Sequence, residues 1–159
     1  MQARLQEGYV RFIFKQITLG VKHMHDRGVV HRDLKPDNIM FSNEKQVKIV
    51  DFGLALVLGP GELATIQSGS IAFSAPEVHS KVPYDSKADI WSLGAILYFM
   101  LTRTPPFIRD NCEETIKAII YDPFYPSEVA EWMEISSEAL DLVTQILSSK
   151  DPNARLDIN

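Results

Sequence analysis

The sequence lacks the features that direct a protein to secretion, to a membrane or to a disulfide-stabilised fold. A single cysteine, Cys112, permits no internal disulfide, so a reducing compartment is expected. The most apolar stretch, residues 90–101, has 12 residues and is too short to span a bilayer. The first residues contain no basic leader followed by an apolar block, and the sequence therefore predicts no secretion signal and a cytoplasmic location.

Strong net charge, low-complexity tracts and internal repeats are absent as well. The formal net charge of −5 argues against nucleic acid or an anionic membrane surface as a partner. At 159 residues, of which 45% are hydrophobic, the chain has the size of one domain. A chain of this length buries roughly 70% of its unfolded surface. We therefore expect a single domain over residues 1–159.

Apolar periodicity predicts a mainly α fold with a small β-hairpin region. The helical pattern covers four stretches: residues 10–25, 86–101, about 111–121 and about 136–148. The stretch 86–101 is apolar nearly all round, so we expect a central buried helix with Ser86 as its N-cap. Residues 38–41 and 46–50 have the pattern of two short strands around a turn. The glycines and prolines of residues 55–77 predict an extended loop with a functional role.

Residues 31–38, His-Arg-Asp-Leu-Lys-Pro-Asp-Asn, concentrate charged and amide side chains in one predicted loop. Asp51 follows the second predicted strand, 18 positions after Asp33. Because a hairpin folds back on itself, it can return Asp51 to the neighbourhood of Asn38. Taken singly, such residues are most often turn residues, but two oxygen donors at this spacing suit a hard cation such as Mg²⁺. Asp33 is then free to accept a hydroxyl proton, and Lys35 can neutralise charge on a transferring phosphoryl group.

Three ordered motifs resemble those of the eukaryotic protein kinase family. They are the catalytic loop at 31–38, the metal-binding Asp-Phe-Gly motif at 51–53 and Ala-Pro-Glu at 75–77, which ends an activation segment at 51–77; further matching stretches lie at 89–94, 104–107 and 151–155. The resemblance covers essentially the whole chain. It implies that residues 1–159 are a partial protein kinase domain, namely the large, mainly helical C-terminal lobe.

The resemblance implies a role for each matching position. Asp33 is implied as the catalytic base that orients the substrate hydroxyl, and Lys35 as a contact of the ATP γ-phosphate. Asn38 and Asp51 are implied as Mg²⁺ ligands, and Met40 as the residue beneath the adenine. The implied cofactors are ATP and Mg²⁺, and the implied substrate is a protein with a serine or threonine acceptor.

The resemblance is closest to serine/threonine kinases of the calcium/calmodulin-dependent group. Lys35 follows the serine/threonine pattern, and Leu54 resembles the large apolar residue associated with preference for serine over threonine. Residues 137–142 and the preceding Trp132 are similar to the calcium/calmodulin-dependent group and its calcium-dependent relatives. Asp37 lies where the family often has an acidic residue that meets basic substrate side chains.

Other charged residues are predicted to be structural rather than catalytic. His31 is predicted to be a packed core histidine, and its place in the kinase pattern is structural too. Asp89 either favours a helix N-terminus or, by the resemblance, braces the catalytic-loop backbone. Glu77 and Arg155 are either unrelated surface charges or, as the resemblance implies and we favour, a buried ion pair.

The activation segment departs from the family pattern for regulation by phosphorylation. Arg32 is either a solvated charge or, by the resemblance, the residue that pairs with a phosphate that orders the activation loop. Thr65 and Ser68 are the candidate phosphosites, whereas the commonest family position holds Ile66. Ser70 stands where the substrate-binding loop of the family usually has threonine.

The parts of a kinase that cover ATP have no counterpart in the sequence. No G-x-G-x-x-G pattern occurs, and no strand before Val10 carries a phosphate-anchoring lysine. We therefore expect the N-terminal lobe to be absent, and the isolated chain to bind nucleotide weakly and have little kinase activity, because positioning supplies most of the catalysis of phosphoryl transfer. Two hypotheses remain: the catalytic lobe of a serine/threonine protein kinase, or a catalytically inactive kinase-like module that binds a regulatory protein or a separate N-terminal lobe.

Overall fold

The computed structural model describes residues 5–42, 46–126 and 135–158, which form a mainly helical domain. The α-helices are Glu7–His25 (α1), Pro76–His79 (α2), Lys87–Thr102 (α3), Cys112–Tyr121 (α4) and Ser137–Leu147 (α5). The strands are Val29–Val30 (β1), Ile39–Phe41 (β2), Val47–Ile49 (β3) and Leu56–Val57 (β4). Short 3₁₀ helices cover Pro36–Asn38, Ile71–Phe73 and Pro152–Ala154. The predicted mainly helical fold with a small hairpin is confirmed.

Helix α3 is the centre of the domain, as its apolar sequence predicts. Every residue of this helix except Lys87 and Phe99 is buried, and both α1 and α5 pack against it. The Trp91 ring stacks on the Phe107 ring with centroids 5.7 Å apart. Although α3 is strongly apolar, neither it nor another helix among the described residues is long and apolar enough to cross a membrane. The surrounding loops therefore pack against a closely packed apolar core.

The start of α3 differs from the prediction in its cap. Ser86 precedes the helix, but it has helical dihedral angles and its side chain makes no capping hydrogen bond. Instead, Asp85 Oδ1 accepts a hydrogen bond from the Lys87 N–H at 2.8 Å. Aspartate and serine are nearly equal as caps, so the sequence does not decide between the two neighbours.

Helix α1 begins at Glu7, earlier than the predicted start at residue 10. The prediction was based on the stripe of apolar residues, which begins at residue 10. The first turn of the helix is polar and is stabilised by a contact with the residue before α5. The Glu7 carboxylate accepts hydrogen bonds from the Ser136 N–H at 2.9 Å and from the Ser136 hydroxyl at 2.6 Å. These bonds lower the pKa of Glu7 below its ordinary value and join α1 to the start of α5.

The four short strands form two antiparallel pairs. Strand β1 precedes the catalytic loop in the sequence, and the other three strands follow it. β2 and β3 form the predicted hairpin, with Ile39 opposite Ile49. β1 and β4, which the sequence pattern did not indicate, pair Val29 with Val57. Each has two residues, too few for an alternating pattern to be visible. Since β4, α2 and a 3₁₀ helix lie within residues 55–77, this segment is more structured than the predicted loop.

A buried ion pair joins α2 to the carboxyl-terminal segment. Arg155 donates to the two carboxylate oxygens of Glu77 at 2.7 and 3.1 Å, and the two side chains are 0% and 4% exposed. The guanidinium carbon of Arg155 also lies 5.2 Å from the centre of the Trp91 ring. The favoured interpretation of Glu77 and Arg155 as a pair is confirmed.

Candidate active site

The catalytic-loop backbone is held by a buried carboxylate from α3. Asp89 Oδ2 accepts hydrogen bonds from the His31 N–H at 2.8 Å and from His25 Nε2 at 2.9 Å, and Asp89 Oδ1 accepts from the Arg32 N–H at 2.9 Å. Asp89 is fully buried, so these donors replace the water that a carboxylate otherwise requires. They also stabilise the left-handed backbone of Arg32, whose φ is 71°. The bracing role implied for Asp89 is confirmed.

Asp33, the predicted base, receives hydrogen bonds on both carboxylate oxygens. Its Oδ1 accepts from the Ser70 N–H at 2.8 Å and from the Ser70 hydroxyl at 2.9 Å. Its Oδ2 accepts from Lys35 Nζ at 2.9 Å and, more weakly, from Asn38 Nδ2 at 3.4 Å. The carboxylate is therefore fixed in orientation by residues from the catalytic loop and from the activation segment.

These donors also determine the charge of Asp33. Burial raises the pKa of Asp33, but hydrogen bonds from Lys35 and Ser70 outweigh burial and lower the pKa below its ordinary value. The pKa of Lys35 is raised, chiefly by its hydrogen bond to Asp33 and against the effect of burial, with further support from the charges of Asp37 and Asp51. Near neutral pH the site therefore holds an ionised acceptor beside an ammonium group.

His31 connects the catalytic loop to the hairpin and is fully buried. Its Nδ1 accepts a hydrogen bond from the Asp33 N–H at 3.3 Å, so its Nε2 carries the hydrogen and donates to the Val50 carbonyl at 3.1 Å. The Val50 N–H donates in turn to the Asn38 carbonyl at 3.0 Å. The predicted role of His31 as a packed core residue is confirmed, and its bonds hold the residue before Asp51 against Asn38.

The hairpin returns Asp51 to the catalytic loop, as predicted. Asp51 has a left-handed φ of 63°, and its Oδ1 accepts a hydrogen bond from the Gly53 N–H at 3.2 Å. The ring of Phe52 lies against the His31 ring, with centroids 5.1 Å apart. This turn leaves Asp51 exposed beside the catalytic loop.

Asn38 and Asp51 together offer oxygen atoms to a hard cation. Asn38 Nδ2 donates to the Asp33 carbonyl oxygen at 2.9 Å, which leaves the side-chain oxygen of Asn38 for a ligand role. Among the residues that the structure describes, no group of three or more His, Cys, Asp and Glu side chains is arranged to hold a metal ion. An amide oxygen and a carboxylate are ligands that Mg²⁺ accepts when phosphate and water complete its shell, and the metal role of Asn38 and Asp51 stays a prediction.

Apolar side chains of the hairpin and of the segment after Asp51 are individually exposed to solvent near this site. Met40 is 53% exposed, Phe41 51%, Phe52 50% and Leu54 42%. We call these four residues the open face. A flat apolar group such as adenine suits such a surface, and the adenine contact of Met40 stays a prediction.

The resemblance placed Ser70 in the substrate-binding loop, but its two hydrogen bonds to the Asp33 carboxylate were not predicted. The residue before it, Gly69, has a φ of 97°, and a Cβ atom there would clash with the Arg32 carbonyl oxygen and the Ser74 hydroxyl. Glycine is therefore required for the activation segment to approach the catalytic loop. A glycine followed by a hydroxyl residue within a long loop is the sequence signal that indicates this contact.

Arg32 contacts the activation segment, so its interpretation as a solvated charge is wrong. It donates to the Tyr84 hydroxyl at 2.9 Å, to the Ile66 carbonyl at 2.9 Å and to the Ser68 hydroxyl at 2.6 Å. Of the two candidate phosphosites, Ser68 lies in this contact and Thr65 is exposed. The contact joins the residue before Asp33 to the middle of the activation segment.

Comparison with known proteins identifies the family. Residues 1–159 match the protein kinase domain family. The chain is 40% identical to sperm motility kinase 2B of Mus musculus, over 95% of this chain and 30% of that protein. It is 39% identical to the probable serine/threonine-protein kinase fhkA of Dictyostelium discoideum, over 97% and 31%, and 42% identical to calcium-dependent protein kinase 22 of Oryza sativa subsp. japonica, over 86% and 24%.

The chain belongs to the protein kinase family. It spans between 24% and 31% of the length of these three curated relatives. These relatives include serine/threonine kinases and a calcium-dependent kinase, in agreement with the resemblance seen in the sequence. Trp132, which contributed to that resemblance, lies outside the described residues.

Proposed function

We propose that this chain is the C-terminal, catalytic lobe of a serine/threonine protein kinase, which when complete transfers the γ-phosphate of ATP to a protein hydroxyl. The observation that carries the proposal is the set of donors from Lys35, Asn38 and Ser70 around the single carboxylate of Asp33. A relative bears the name of a probable serine/threonine-protein kinase, which supports the class of acceptor. The mainly helical fold supports the assignment to the C-terminal lobe.

Asp33 is the proposed acceptor of the proton from the attacking hydroxyl. Its lowered pKa keeps it ionised near neutral pH, and Ser70 and Lys35 fix its two oxygens. A carboxylate of low pKa is a weak base. Its main contribution is therefore to align the hydroxyl and to take the proton as the new phosphorus–oxygen bond forms, while the bond between the γ-phosphorus and the bridging oxygen breaks and ADP leaves.

Lys35 is the proposed contact of the γ-phosphate. Its Nζ atom lies 2.9 Å from Asp33 Oδ2 and 2.9 Å from Ser70 Oγ, and its raised pKa keeps it positively charged. A fixed positive charge beside a transferring phosphoryl group stabilises the charge of the transition state. Asn38 and Asp51 would hold Mg²⁺, which neutralises phosphate charge when it is bound.

Two exposed residues, Asp37 and Leu54, support a basic peptide with a serine acceptor as the class of substrate. Asp37 is exposed in the 3₁₀ helix Pro36–Asn38, next to the catalytic residues, where it can meet a basic side chain of a peptide. Leu54, 42% exposed, follows the Asp-Phe-Gly motif directly and supports a preference for serine. We propose a basic peptide segment with a serine acceptor as the substrate.

The open face supports the need for a second lobe. Its members, Met40, Phe41, Phe52 and Leu54, are each between 42% and 53% exposed, and apolar clusters on a surface mark binding sites. We propose that an N-terminal kinase lobe covers this face with ATP held between the two. The same face favours the alternative function, a catalytically inactive module that binds a separate N-terminal lobe or a regulatory protein.

Phosphoryl transfer by a fusion protein tests the proposal. An N-terminal lobe from an active serine/threonine kinase is joined ahead of residue 1, and transfer from ATP·Mg to a basic serine peptide is measured. We expect turnover by the fusion and negligible turnover by the chain alone. Asp33→Asn should lower kcat of the fusion by at least about 100-fold, whereas Asp110→Asn, which changes an exposed carboxylate in the loop before α4, is the matched control.

Two outcomes would contradict parts of the proposal. Turnover by the isolated chain that Asp33→Ala abolishes would show that no second lobe is needed. A folded fusion that binds ATP and transfers no phosphate would favour the inactive binding module.

A further inference from the structure

Tyr84 holds the activation segment from the position just before α3. Its backbone forms an antiparallel bridge with Ala64, in which the Ala64 N–H donates to the Tyr84 carbonyl at 2.7 Å and the Tyr84 N–H donates to the Ala64 carbonyl at 3.0 Å. Its hydroxyl donates to the Ile66 carbonyl at 2.8 Å. Tyr84 is 3% exposed, so one buried residue holds the segment at two successive places.

The same hydroxyl connects the segment to the catalytic loop. It accepts a hydrogen bond from Arg32 Nε at 2.9 Å, and the neighbouring Arg32 nitrogen donates to the Ile66 carbonyl and to the Ser68 hydroxyl. A guanidinium group has five N–H donors, and three are thus used by uncharged acceptors of Tyr84 and the segment. Among the residues that the structure describes, the Arg32 side chain thus donates to uncharged acceptors and to no carboxylate.

The contact continues to Asp33 through a short stretch of chain. Ser68 is followed by Gly69, where an added Cβ atom would clash with the Arg32 carbonyl oxygen, and then by Ser70. Ser70 gives its N–H and its hydroxyl to Asp33 Oδ1. Because Ser70 follows Ser68 by only two residues, a displacement of residues 66–68 should also change the position of Ser70 against the Asp33 carboxylate.

We propose that Tyr84 is a positioning residue for Asp33. Its hydroxyl fastens the activation segment to Arg32 through uncharged hydrogen bonds, so that Ser70 stays bound to Asp33 with no need for a phosphate on the segment. The importance of Asp33 for catalysis rests on the proposed function, whereas the fastening itself is a property of the fold.

Tyr84→Phe tests this proposal because it removes the hydroxyl and keeps the packed ring. The matched control is Tyr98→Phe, since Tyr98 is 8% exposed and its ring packs against Phe124. The chain is prepared without phosphate, as verified by mass spectrometry. The readouts are amide hydrogen exchange at Ser70 and the carboxyl carbon titration of Asp33 by NMR, neither of which requires phosphoryl transfer.

We expect the Ser70 amide to be protected in the unphosphorylated chain. Tyr84→Phe should speed its exchange about tenfold, because two hydrogen bonds of the contact are lost. The pKa of Asp33 should move upward as the bonds from Ser70 weaken. Ser68→Ala should have a smaller effect in the same direction, since it leaves the Tyr84 hydroxyl in place, and Tyr98→Phe should change neither readout.

Three results would overturn the proposal: an unprotected Ser70 amide in the unphosphorylated chain, no change at Ser70 and Asp33 in Tyr84→Phe, or an equal change in Tyr98→Phe. If circular dichroism shows that Tyr84→Phe does not fold, Arg32→Gln removes the same hydroxyl contact from the other side. Unchanged Ser70 exchange in that variant would overturn the proposal as well. These two measurements do not require phosphoryl transfer. The proposed role of Tyr84 can therefore be tested even if the fusion protein transfers no phosphate.

Discussion

The two sides of the candidate active site are built in opposite ways. On the anchored side, the buried groups of Glu77, Tyr84, Asp89 and Arg155 hold the catalytic loop and the activation segment from below through hydrogen bonds. The open face on the other side consists of half-exposed apolar side chains. The hydrogen-bond partners of Asp33 thus come from this chain, whereas the open face is the surface that we propose a second lobe covers.

This difference also decides how each side responds to substitution. A buried charged group that loses its partner cannot exchange it for water, so each bond on the anchored side should be costly to break. A residue of the open face already contacts water, so its replacement should change stability little. Substitutions on the two sides should therefore separate stability from surface binding.

The largest effect is expected for the buried ion pair. Arg155→Ala leaves the Glu77 carboxylate buried without its partner, so the free energy of unfolding should fall by about 3–5 kcal/mol. Urea denaturation measures the change. Arg109→Ala is the control, because Arg109 pairs with Asp122 on the surface, where the side chains are 44% and 47% exposed. That pair should contribute less than about 1 kcal/mol, and equal losses in the two variants would contradict the comparison.

The second effect concerns the brace under the catalytic loop. Asp89→Asn replaces one acceptor oxygen by an NH₂ group that faces an N–H donor, so stability should fall by about 2 kcal/mol. Amide exchange at His31 and Arg32 should become faster in the same variant. Asp85→Asn is the control, since asparagine caps a helix as well as aspartate does and should change stability by less than about 0.5 kcal/mol. If amide exchange at His31 and Arg32 stays as slow in Asp89→Asn as in the wild type, Asp89 does not hold the catalytic-loop backbone.

The third effect is a change of pH dependence at Asp33. The lowered pKa of Asp33 means that its contribution to stability is complete above its ordinary pKa of 3.8 and is lost as pH falls through the lowered pKa. Lys35→Ala removes a donor to Oδ2, so the pKa of Asp33 should rise and the loss should begin at higher pH. NMR titration measures this shift, and Lys48→Ala, an exposed lysine of the hairpin, should leave the pKa of Asp33 unchanged.

The smallest effect on stability is expected on the open face. Met40→Ser, at a side chain that is 53% exposed, should change the free energy of unfolding by no more than about 0.5 kcal/mol. Binding of a hydrophobic dye and self-association should nevertheless decrease, because the apolar cluster is interrupted. Leu19→Ser, on the exposed side of α1, is the control and should leave dye binding intact. A monodisperse wild-type chain that binds no dye would argue against the open face as a docking surface.

Local patterns were sufficient to predict the hairpin, the return of Asp51 and the burial of α3, because each follows from periodicity or from a turn. They were not sufficient for the β1–β4 pair, whose strands have two residues each. The hydrogen bonds of Ser70 to Asp33 and of Tyr84 to Arg32 were missed as well, since they span 37 and 52 positions of the chain. Contacts at such separations leave no periodic signal in one sequence.

By itself, the sequence determined which chemical groups stand together in the catalytic loop, how far Asp51 follows them and which helix is buried. These are properties of neighbouring residues and of side-chain type. Only the tertiary structure decided that Ser70 orients Asp33, that Tyr84 holds Arg32 and that Asp89 receives donors from two elements. The physical reason is that a buried polar group cannot bond to water and must bond to another group of the protein. Which group lies within reach depends on how the elements pack around α3.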